Sequence, residues 1–204
     1  MSNLTFKIAC VLIAAGNSSR LGQSKQLVKY RGKTLLNTAI NLSQVATDRL
    51  IIVLGSDAEE HRRSIQTEKS ALTTVMVNED WNQGMGTSIA RGVSELSDDF
   101  SHVLIMLCDQ WALNEQDLLT LHQNSTTHPN KIICCEYLDR QSNKQVLGAP
   151  AIFPKAFFKE LIQLRETGAR KILEAHSSDV ISVDVANAGY DLDTAQDLLR
   201  LNRH

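Results

Sequence analysis

A short segment near the amino terminus carries residues suited to holding phosphate groups. Its sequence, LIAAGNSSRLGQSKQL, covers residues 12–27. Gly16 and Gly22 permit backbone conformations that other residues rarely adopt, and their small size lets a ligand approach the main chain closely. Successive N–H groups in such a loop form an anion-binding concavity. Arg20 can bind a phosphate bidentately, and Lys25 can serve it as a point charge. The segment therefore predicts a site for the phosphates of a nucleotide, the alternative being an ordinary loop with scattered basic residues.

Three aspartates supply the groups that a metal ion would need beside such phosphates. Asp109 ends the apolar run Leu104–Cys108, and Asp191 and Asp193 lie near the carboxyl terminus. In an extended segment Asp191 and Asp193 share one face because side chains alternate along a strand. Mg²⁺ takes oxygen ligands and commonly bridges substrate phosphates. We expect Asp109 and one of the other two to hold Mg²⁺, the alternative being that all three only begin helices or lie in surface turns.

Strand-like and helix-like patterns alternate along the chain and position these residues. An alternating βαβα order favours a mostly parallel sheet with helices on both faces, and ligands then bind at the carboxyl ends of the strands. The predicted strands are Ile8–Ala14, Leu50–Leu54, Thr73–Val77, Val103–Leu107, Lys131–Tyr137, Ala151–Phe153 and Val180–Val183. The predicted helices are Thr34–Val45, Asp57–Gln66, Thr87–Leu96, Asn114–Gln123, Lys155–Leu164, Ala169–Ala175 and Thr194–Leu201.

Composition limits the classes of function. The 204 residues suit a single domain, residues 1–204. The net charge of −2 argues against a nucleic-acid partner, and no apolar run reaches the roughly 18 residues of a membrane span. The amino terminus lacks the pattern of a secretion signal. The four cysteines lie in apolar runs without a CxxC pair, so we expect buried, reduced thiols and a cytoplasmic protein; they are Cys10, Cys108, Cys134 and Cys135.

Four segments resemble one known family. Residues 12–25 resemble LAAGxSxRxGxxK, the signature of nucleotidyltransferases with a MobA-like fold, and match neither GxxxxGK[ST] nor GxGxxG. Residues 78–92 are similar to NxxWxxGMxxSxxxG, which is typical of the molybdenum cofactor cytidylyltransferases. Residues 108–111 resemble GDQP but end in Trp111, and residues 191–198 resemble DxDTPEDL. A weaker segment has Ala149 where the family often has histidine. The resemblance implies a Rossmann-like three-layer α/β nucleotidyltransferase fold with a mostly parallel central sheet.

The same resemblance assigns roles to individual residues. It implies catalytic roles for Arg20, Lys25 and Asp109. The metal set, for Mg²⁺, is Asp109, Asp191 and Asp193, with Asp191 favoured over Asp193. The acceptor-binding set is Gln110, Gly148 and Arg170. The nucleotide-binding set is Ala14, Ala15, Gly16, Asn17, Ser18, Arg20, Lys25, Asn78, Gly84 and Ser88.

The implied reaction joins a nucleoside triphosphate to a phosphorylated acceptor and releases pyrophosphate. The resemblance favours CTP as donor and molybdopterin as acceptor, with a molybdoenzyme or a chaperone receiving the product. Ala15 stands where the guanylyl branch usually has glycine, and its methyl would crowd a guanine. Three alternatives stay open: transfer to a sugar or alditol phosphate, a non-catalytic protein that binds molybdenum cofactor, and an oxidoreductase that has reused the fold, which the absent GxGxxG disfavours.

Overall fold

Strands and helices alternate along most of the chain in the computed structural model, which describes residues 6–140 and 142–203. The strands are β1 (Ile8–Ala14), β2 (Lys29–Tyr30), β3 (Lys33–Thr34), β4 (Arg49–Leu54), β5 (Thr73–Val77), β6 (His102–Leu107), β7 (Ile132–Asp139), β8 (Lys144–Pro154) and β9 (Val180–Asp184). The helices are α1 (Leu35–Ser43), α2 (Ala58–Ser64), α3 (Met85–Val93), α4 (Glu115–Thr127), α5 (Phe158–Ile162), α6 (Arg170–Ala175) and α7 (Ala195–Leu201). Within the described ranges, no helix combines the length and the apolarity that crossing a membrane requires.

Seven strands form the central sheet, in the order β5-β4-β1-β6-β8-β7-β9. Neighbouring strands are parallel throughout except at β8, which runs antiparallel to both β6 and β7. The mostly parallel sheet confirms the predicted fold class. Strands β2 and β3 form a separate small hairpin.

The alternation of side chains along β1 explains why helices cover both faces of the sheet. All seven residues of β1 are buried. Cys10 and Leu12 join one apolar cluster with residues of α1 and α4, whereas Val11 and Ile13 join a second with residues of α3, α5 and α6. A strand buried on both faces reads as a continuous apolar run. The chain is thus layered helix, sheet, helix.

The cysteines follow the same alternation. Cys134 belongs to one apolar cluster and its neighbour Cys135 to the other, on opposite faces of β7. All four cysteines are free and buried, as predicted.

The pairing of β1 with β6 brings together the two segments that carry the predicted phosphate- and metal-binding residues. Ile13 pairs with Leu107 near the carboxyl ends of the two strands, and Cys108 N–H donates to the carbonyl of Ile13 at 3.2 Å. The loop after β1 and the segment after β6 therefore emerge side by side at one edge of the sheet.

The predicted elements are confirmed in order and type, and most of their bounds shift by one to three residues. Three further differences stand out. Strand β8 begins at Lys144, well before the predicted Ala151. The β2–β3 hairpin was not predicted. Asp57 stands before α2, but its side chain makes no capping hydrogen bond because the residue adopts a left-handed conformation, with φ of 52°. Thr194, by contrast, forms a capping box at the start of α7.

Candidate active site

Lys25 lies at the centre of a cluster of charged side chains. Its ammonium donates to Asp109 Oδ2 and, at 3.0 Å, to Asp193 Oδ1. Arg20 Nη2 donates to the other oxygen of Asp193 at 3.0 Å. Lys25 is only 16% exposed at its side chain, whereas Arg20 is 64% exposed. The structure thus brings together four of the predicted residues from the loop after β1, the end of β6 and the segment before α7.

Electrostatics keep Lys25 charged in this cluster. Burial alone would lower the pKa of its ammonium, but the carboxylates of Asp109 and Asp193 outweigh burial and raise the pKa above its ordinary value. A buried, permanently charged ammonium is suited to neutralising phosphate charge.

Asp191 lies beside Asp109 and carries an unsatisfied carboxylate oxygen. Asp191 pairs with Gln110 across an isolated antiparallel bridge, and Leu192 N–H donates to the carbonyl of Asp109 at 3.1 Å. Burial, followed by the charges of Asp109 and Asp193, raises the pKa of Asp191 well above its ordinary value. One oxygen of Asp109 and one of Asp191 are buried without a hydrogen-bond partner among the described residues.

These orphaned oxygens fit a hard divalent cation. Buried carboxylate oxygens without partners are unfavourable unless a cation or a donor satisfies them. No group of three or more histidine, cysteine or acidic side chains in residues 6–140 and 142–203 is arranged to hold a metal ion. Two carboxylates are sufficient where Mg²⁺ takes its remaining ligands from water and substrate phosphates.

A small cavity borders the charged cluster on the side of β1. It measures about 130 Å³ and includes six predicted site residues, namely Ala14, Ala15, Gly16, Lys25, Ser88 and Asp109. Trp81, Met85 and Leu107 add apolar walls. This mixture of main chain, one cation and apolar surface is suited to a nucleotide that lies with its triphosphate near Lys25.

Other predicted nucleotide-binding residues lie outside this cavity and shape its surroundings. Ser18 adopts a φ of 53°, and its carbonyl accepts N–H bonds from Leu21 and Gly22. The side chain of Asn17 accepts from Ser19 N–H at 3.3 Å and is exposed. Both residues therefore define the turn of the loop, and their contact with a nucleotide stays a prediction.

Asn78 is buried and engaged within the protein. Its amide donates to the hydroxyls of Thr87 and Ser88 at 2.8 and 3.0 Å, and its oxygen accepts from Asp80 N–H. Since both amide hydrogens are used, the geometry favours a role in positioning α3 over direct contact with a base.

Gly84 serves close packing. A Cβ at Gly84, whose φ is 129°, would lie 2.2 Å from the carbonyl oxygen of Glu166. The absence of a side chain at Gly84 therefore lets the backbone at Glu166 pack against the start of α3. A contact between Gly84 and the nucleotide remains a prediction.

The predicted acceptor-binding residues separate into two places. Gly148 and Arg170 line a mainly apolar cavity of about 280 Å³ with Tyr137 and Ala149. Gln110 is buried, and its amide donates to the carbonyls of Ala149 and Ala188 at 2.8 and 2.9 Å. The side-chain oxygen of Gln110 is buried and has no hydrogen-bond partner among the described residues. Gln110 is therefore placed to support Ala149 in the wall of this cavity, and its predicted contact with an acceptor rests on that oxygen.

Sequence reasoning missed two residues near Asp191 and Asp193. Tyr137 and Arg140 line a further cavity of about 170 Å³ with Asp191 and Asp193. The guanidinium of Arg140 lies 3.6 Å from the ring centre of Tyr190. Neither residue belongs to a motif. Their place beside the aspartates comes from the packing of the segment before Asp191 on β7, where Gly189 lies against Tyr137 and Leu138.

Comparison with known proteins decides the family. Residues 10–180 match the MobA-like NTP transferase domain. The chain belongs to the MobA-like NTP transferase family. This membership confirms the resemblance found in the sequence, and the chain is a nucleotidyltransferase.

Individual relatives of this MobA-like chain differ in their named activities. Nicotine blue oxidoreductase of Paenarthrobacter nicotinovorans is 29% identical over 199 residues, covering 94% of each chain. The molybdenum cofactor cytidylyltransferase of Escherichia coli K12 is 28% identical over 134 residues, covering 60% of this chain and 68% of the relative. Among solved structures, Rv0371c of Mycobacterium tuberculosis H37Rv in complex with manganese has a TM-score of 0.79 and 26% identity, covering 98% of this chain and all of that one.

Proposed function

We propose that this nucleotidyltransferase transfers CMP from CTP to the phosphate of molybdopterin and releases pyrophosphate. The observation that carries the proposal is the pair of orphaned oxygens on Asp109 and Asp191 beside the Lys25 ammonium. This arrangement suits a metal-bound triphosphate, because a cation would satisfy the two buried oxygens. The cytidylyltransferase relative and the manganese complex of Rv0371c support the choice of donor, acceptor and divalent cation.

The chemistry needs positioning and charge neutralisation more than proton transfer. An ionised phosphate oxygen of the acceptor attacks the α-phosphorus of the donor. The bond from that phosphorus to the bridging oxygen breaks, and pyrophosphate leaves with the electron pair. Because the nucleophile is already ionised, no strong general base is required. Lys25 and Arg20 neutralise the charge that develops on the phosphates. Asp109 and Asp191 would hold Mg²⁺, which would supply further positive charge.

Donor choice is expected to depend partly on Ala15. This residue is 4% exposed and lines the cavity beside β1. Ala15→Gly should raise the use of GTP relative to CTP, by an amount corresponding to about 1–3 kcal/mol at most for one methyl group. The measurement is the ratio of kcat/KM for the two nucleotides in the wild type and the variant. A wild type that prefers GTP, or a ratio that does not move, would assign base selection to other residues.

The two carboxyl-terminal aspartates are expected to differ in their metal dependence. Asp191 has an orphaned oxygen, whereas both oxygens of Asp193 accept from Lys25 and Arg20. Asp191→Ala should therefore be the more damaging change and should raise the Mg²⁺ concentration needed for half-maximal rate.

Thr194→Ala is the matched control for the aspartate variants, because it removes only the cap of α7 and should cost about 1 kcal/mol of stability with activity largely kept. Measuring the reaction rate of the three variants against Mg²⁺ concentration ranks them by their Mg²⁺ requirement. A worse result for Asp193→Ala would reverse the assignment of the second ligand.

A second candidate function is an oxidoreductase activity. It is favoured by the alignment of nicotine blue oxidoreductase along 94% of the chain. The sequence lacks GxGxxG, however, and the Lys25–Asp109 pair is suited to phosphates that undergo transfer. Assays of NADH and NADPH oxidation with nicotine blue as the electron acceptor would discriminate the two functions. Oxidation of either nucleotide by a protein that shows no nucleotidyl transfer would favour the oxidoreductase.

The test of the proposed function is a substrate panel. Each of the four nucleoside triphosphates is incubated with the protein, Mg²⁺ and one acceptor, either molybdopterin, a sugar phosphate or an alditol phosphate. Mass spectrometry then identifies any nucleotidylated product. We expect the cytidylylated molybdopterin to form fastest. Formation of a sugar nucleotide instead would change the acceptor, and binding of molybdopterin without any product would favour a carrier protein. If the cytidylylated product forms, a molybdoenzyme or a chaperone that receives it would be sought by its binding to the protein that carries this product.

A further inference from the structure

Gln26 connects two ends of the phosphate-binding loop through a buried side chain. Gln26 is 0% exposed. Its amide N–H groups donate to the carbonyls of Ala14 at 3.1 Å and Gly16 at 2.8 Å. Its oxygen accepts from the hydroxyls of Ser18 at 3.3 Å and Ser24 at 3.0 Å. Two donors and two acceptor sites are all that a glutamine amide has, so its capacity is fully used inside this loop.

The network continues to a histidine on another element. Ser24 Oγ lies 2.7 Å from Nε2 of His61 in α2. With the hydroxyl hydrogen of Ser24 donated to Gln26, Ser24 accepts from His61, and the tautomer consistent with both bonds carries the His61 proton on Nε2. Nδ1 of His61 is then a bare nitrogen, which agrees with its having no hydrogen-bond partner among the described residues. An unpaired buried N–H on that atom would be the more costly arrangement.

These bonds fix the direction of peptide groups in the loop. In a trans peptide the N–H points opposite to the preceding C=O. With the carbonyls of Ala14 and Gly16 directed at Gln26, the N–H groups of Ala15 and Asn17 point away from it. Lys25 N–H also donates to Ser18 Oγ at 3.0 Å, which ties the backbone of Lys25 to the same network.

We infer that Gln26, Ser24 and His61 are positioning residues for nucleotide binding: they hold the loop of residues 14–25 in the conformation that receives the triphosphate. Among the described residues, no hydrogen bond joins the side chain of any of the three to Asp109 or Asp193, so they act through the loop and through Lys25. The inference rests on the proposed role of this loop in binding the nucleotide. A loop already ordered before binding lowers the entropic cost of association.

The experiment measures loop order and nucleotide affinity separately. The variants are Gln26→Met, Gln26→Glu, His61→Leu and His61→Gln, with Ser24→Ala alone and combined with His61→Leu. Hydrogen exchange of residues 14–19 reports loop order without any ligand. Calorimetric titration with CTP and Mg²⁺, well below the unfolding temperature, gives the Kd.

The matched control is His102→Leu. His102 is also a buried histidine, bonded to the carbonyl of Pro129 at 2.9 Å. It begins β6 and so lies at the amino-terminal end of the strand, whereas the phosphate-binding loop follows the carboxyl end of β1. Its replacement should lower the unfolding temperature and leave both readouts unchanged. This control separates a loss of general stability from a loss of loop order.

We expect faster exchange in the loop and a Kd raised about tenfold, equivalent to about 1.4 kcal/mol, for Gln26→Met and His61→Leu. Gln26→Glu should behave similarly because a carboxylate cannot donate to the carbonyls of Ala14 and Gly16. His61→Gln should stay near the wild type because its amide can replace the Nε2 donor. In the Ser24→Ala background, His61→Leu should add little, since the bond between them is already lost.

The outcomes distinguish this inference from the proposed function. Unchanged exchange of residues 14–19 in Gln26→Met and His61→Leu would overturn the inference, whatever the nucleotide result. Altered exchange with a wild-type Kd would overturn it as well, because the loop order would not serve binding. A wild type that binds no nucleoside triphosphate would contradict the proposed function and with it the role in nucleotide binding.

Discussion

Replacement of Asp109 by asparagine is expected to abolish nearly all nucleotidyl transfer while the protein stays folded. Asp109 is 8% exposed, with one oxygen bonded to Lys25 and the other without a partner among the described residues. Asparagine has almost the same shape but lacks the charge that a divalent cation needs. Loss of that charge removes several kcal/mol of transition-state stabilisation, which corresponds to a loss of about 10³-fold or more in kcat/KM.

The control for Asp109→Asn is Asp99→Asn. Asp99 pairs with Lys7 on the surface at 2.6 Å, so its replacement should leave kcat/KM unchanged. Circular dichroism and thermal unfolding of both variants establish that they are folded. Activity of Asp109→Asn within about tenfold of the wild type would be incompatible with a metal-binding role for this carboxylate.

Loss of either basic side chain should lower kcat/KM by about 10²-fold or more, as expected when charge stabilisation of a transferring phosphoryl group is removed. Lys25→Ala removes a cation that contacts both Asp109 and Asp193. Arg20→Ala removes the guanidinium that bonds Asp193 from the exposed side of the cluster. Arg20→Lys should restore only part of the rate, since the planar fork that binds a phosphate bidentately is lost.

Steady-state kinetics with varied CTP and acceptor check both alanine variants. Lys155→Ala is a suitable control because Lys155 forms a surface pair with Asp98, in the segment that joins α3 to β6. Unchanged kcat/KM in Lys25→Ala would show that its bonds to the carboxylates serve the fold alone. Unchanged kcat/KM in Arg20→Ala would place that residue on the surface without a role in transfer.

The fold could be predicted well where side-chain burial leaves a strong pattern. Strand β1 was predicted at its observed bounds because burial on both faces makes it a continuous apolar run. Strand β8 was predicted too short because a shift in its register with β7 between Cys134 and Cys135 interrupts the pattern around Ala149 and Pro150. The β2–β3 hairpin has strands of two residues each, too short for any periodicity.

The charged cluster could be anticipated because strand ends converge at one edge of a parallel sheet. Lys25 and Asp109 meet although 84 residues separate them, and each follows one of two neighbouring strands. Asn78 shows the limit of residue type as evidence, since its amide suits a base but is used within the protein. The bond between Ser24 and His61 could not be anticipated, because it depends on how α2 packs against the loop.

The most direct test of metal-dependent nucleotidyl transfer at this site is the release of pyrophosphate. The wild-type protein is incubated with CTP and molybdopterin, with and without Mg²⁺, and pyrophosphate is quantified against the cytidylylated product. We predict one pyrophosphate for each cytidylylated molybdopterin, and none when either Mg²⁺ or the acceptor is omitted. Absence of pyrophosphate with every nucleoside triphosphate and every acceptor of the panel, from protein shown to be folded, would contradict the account.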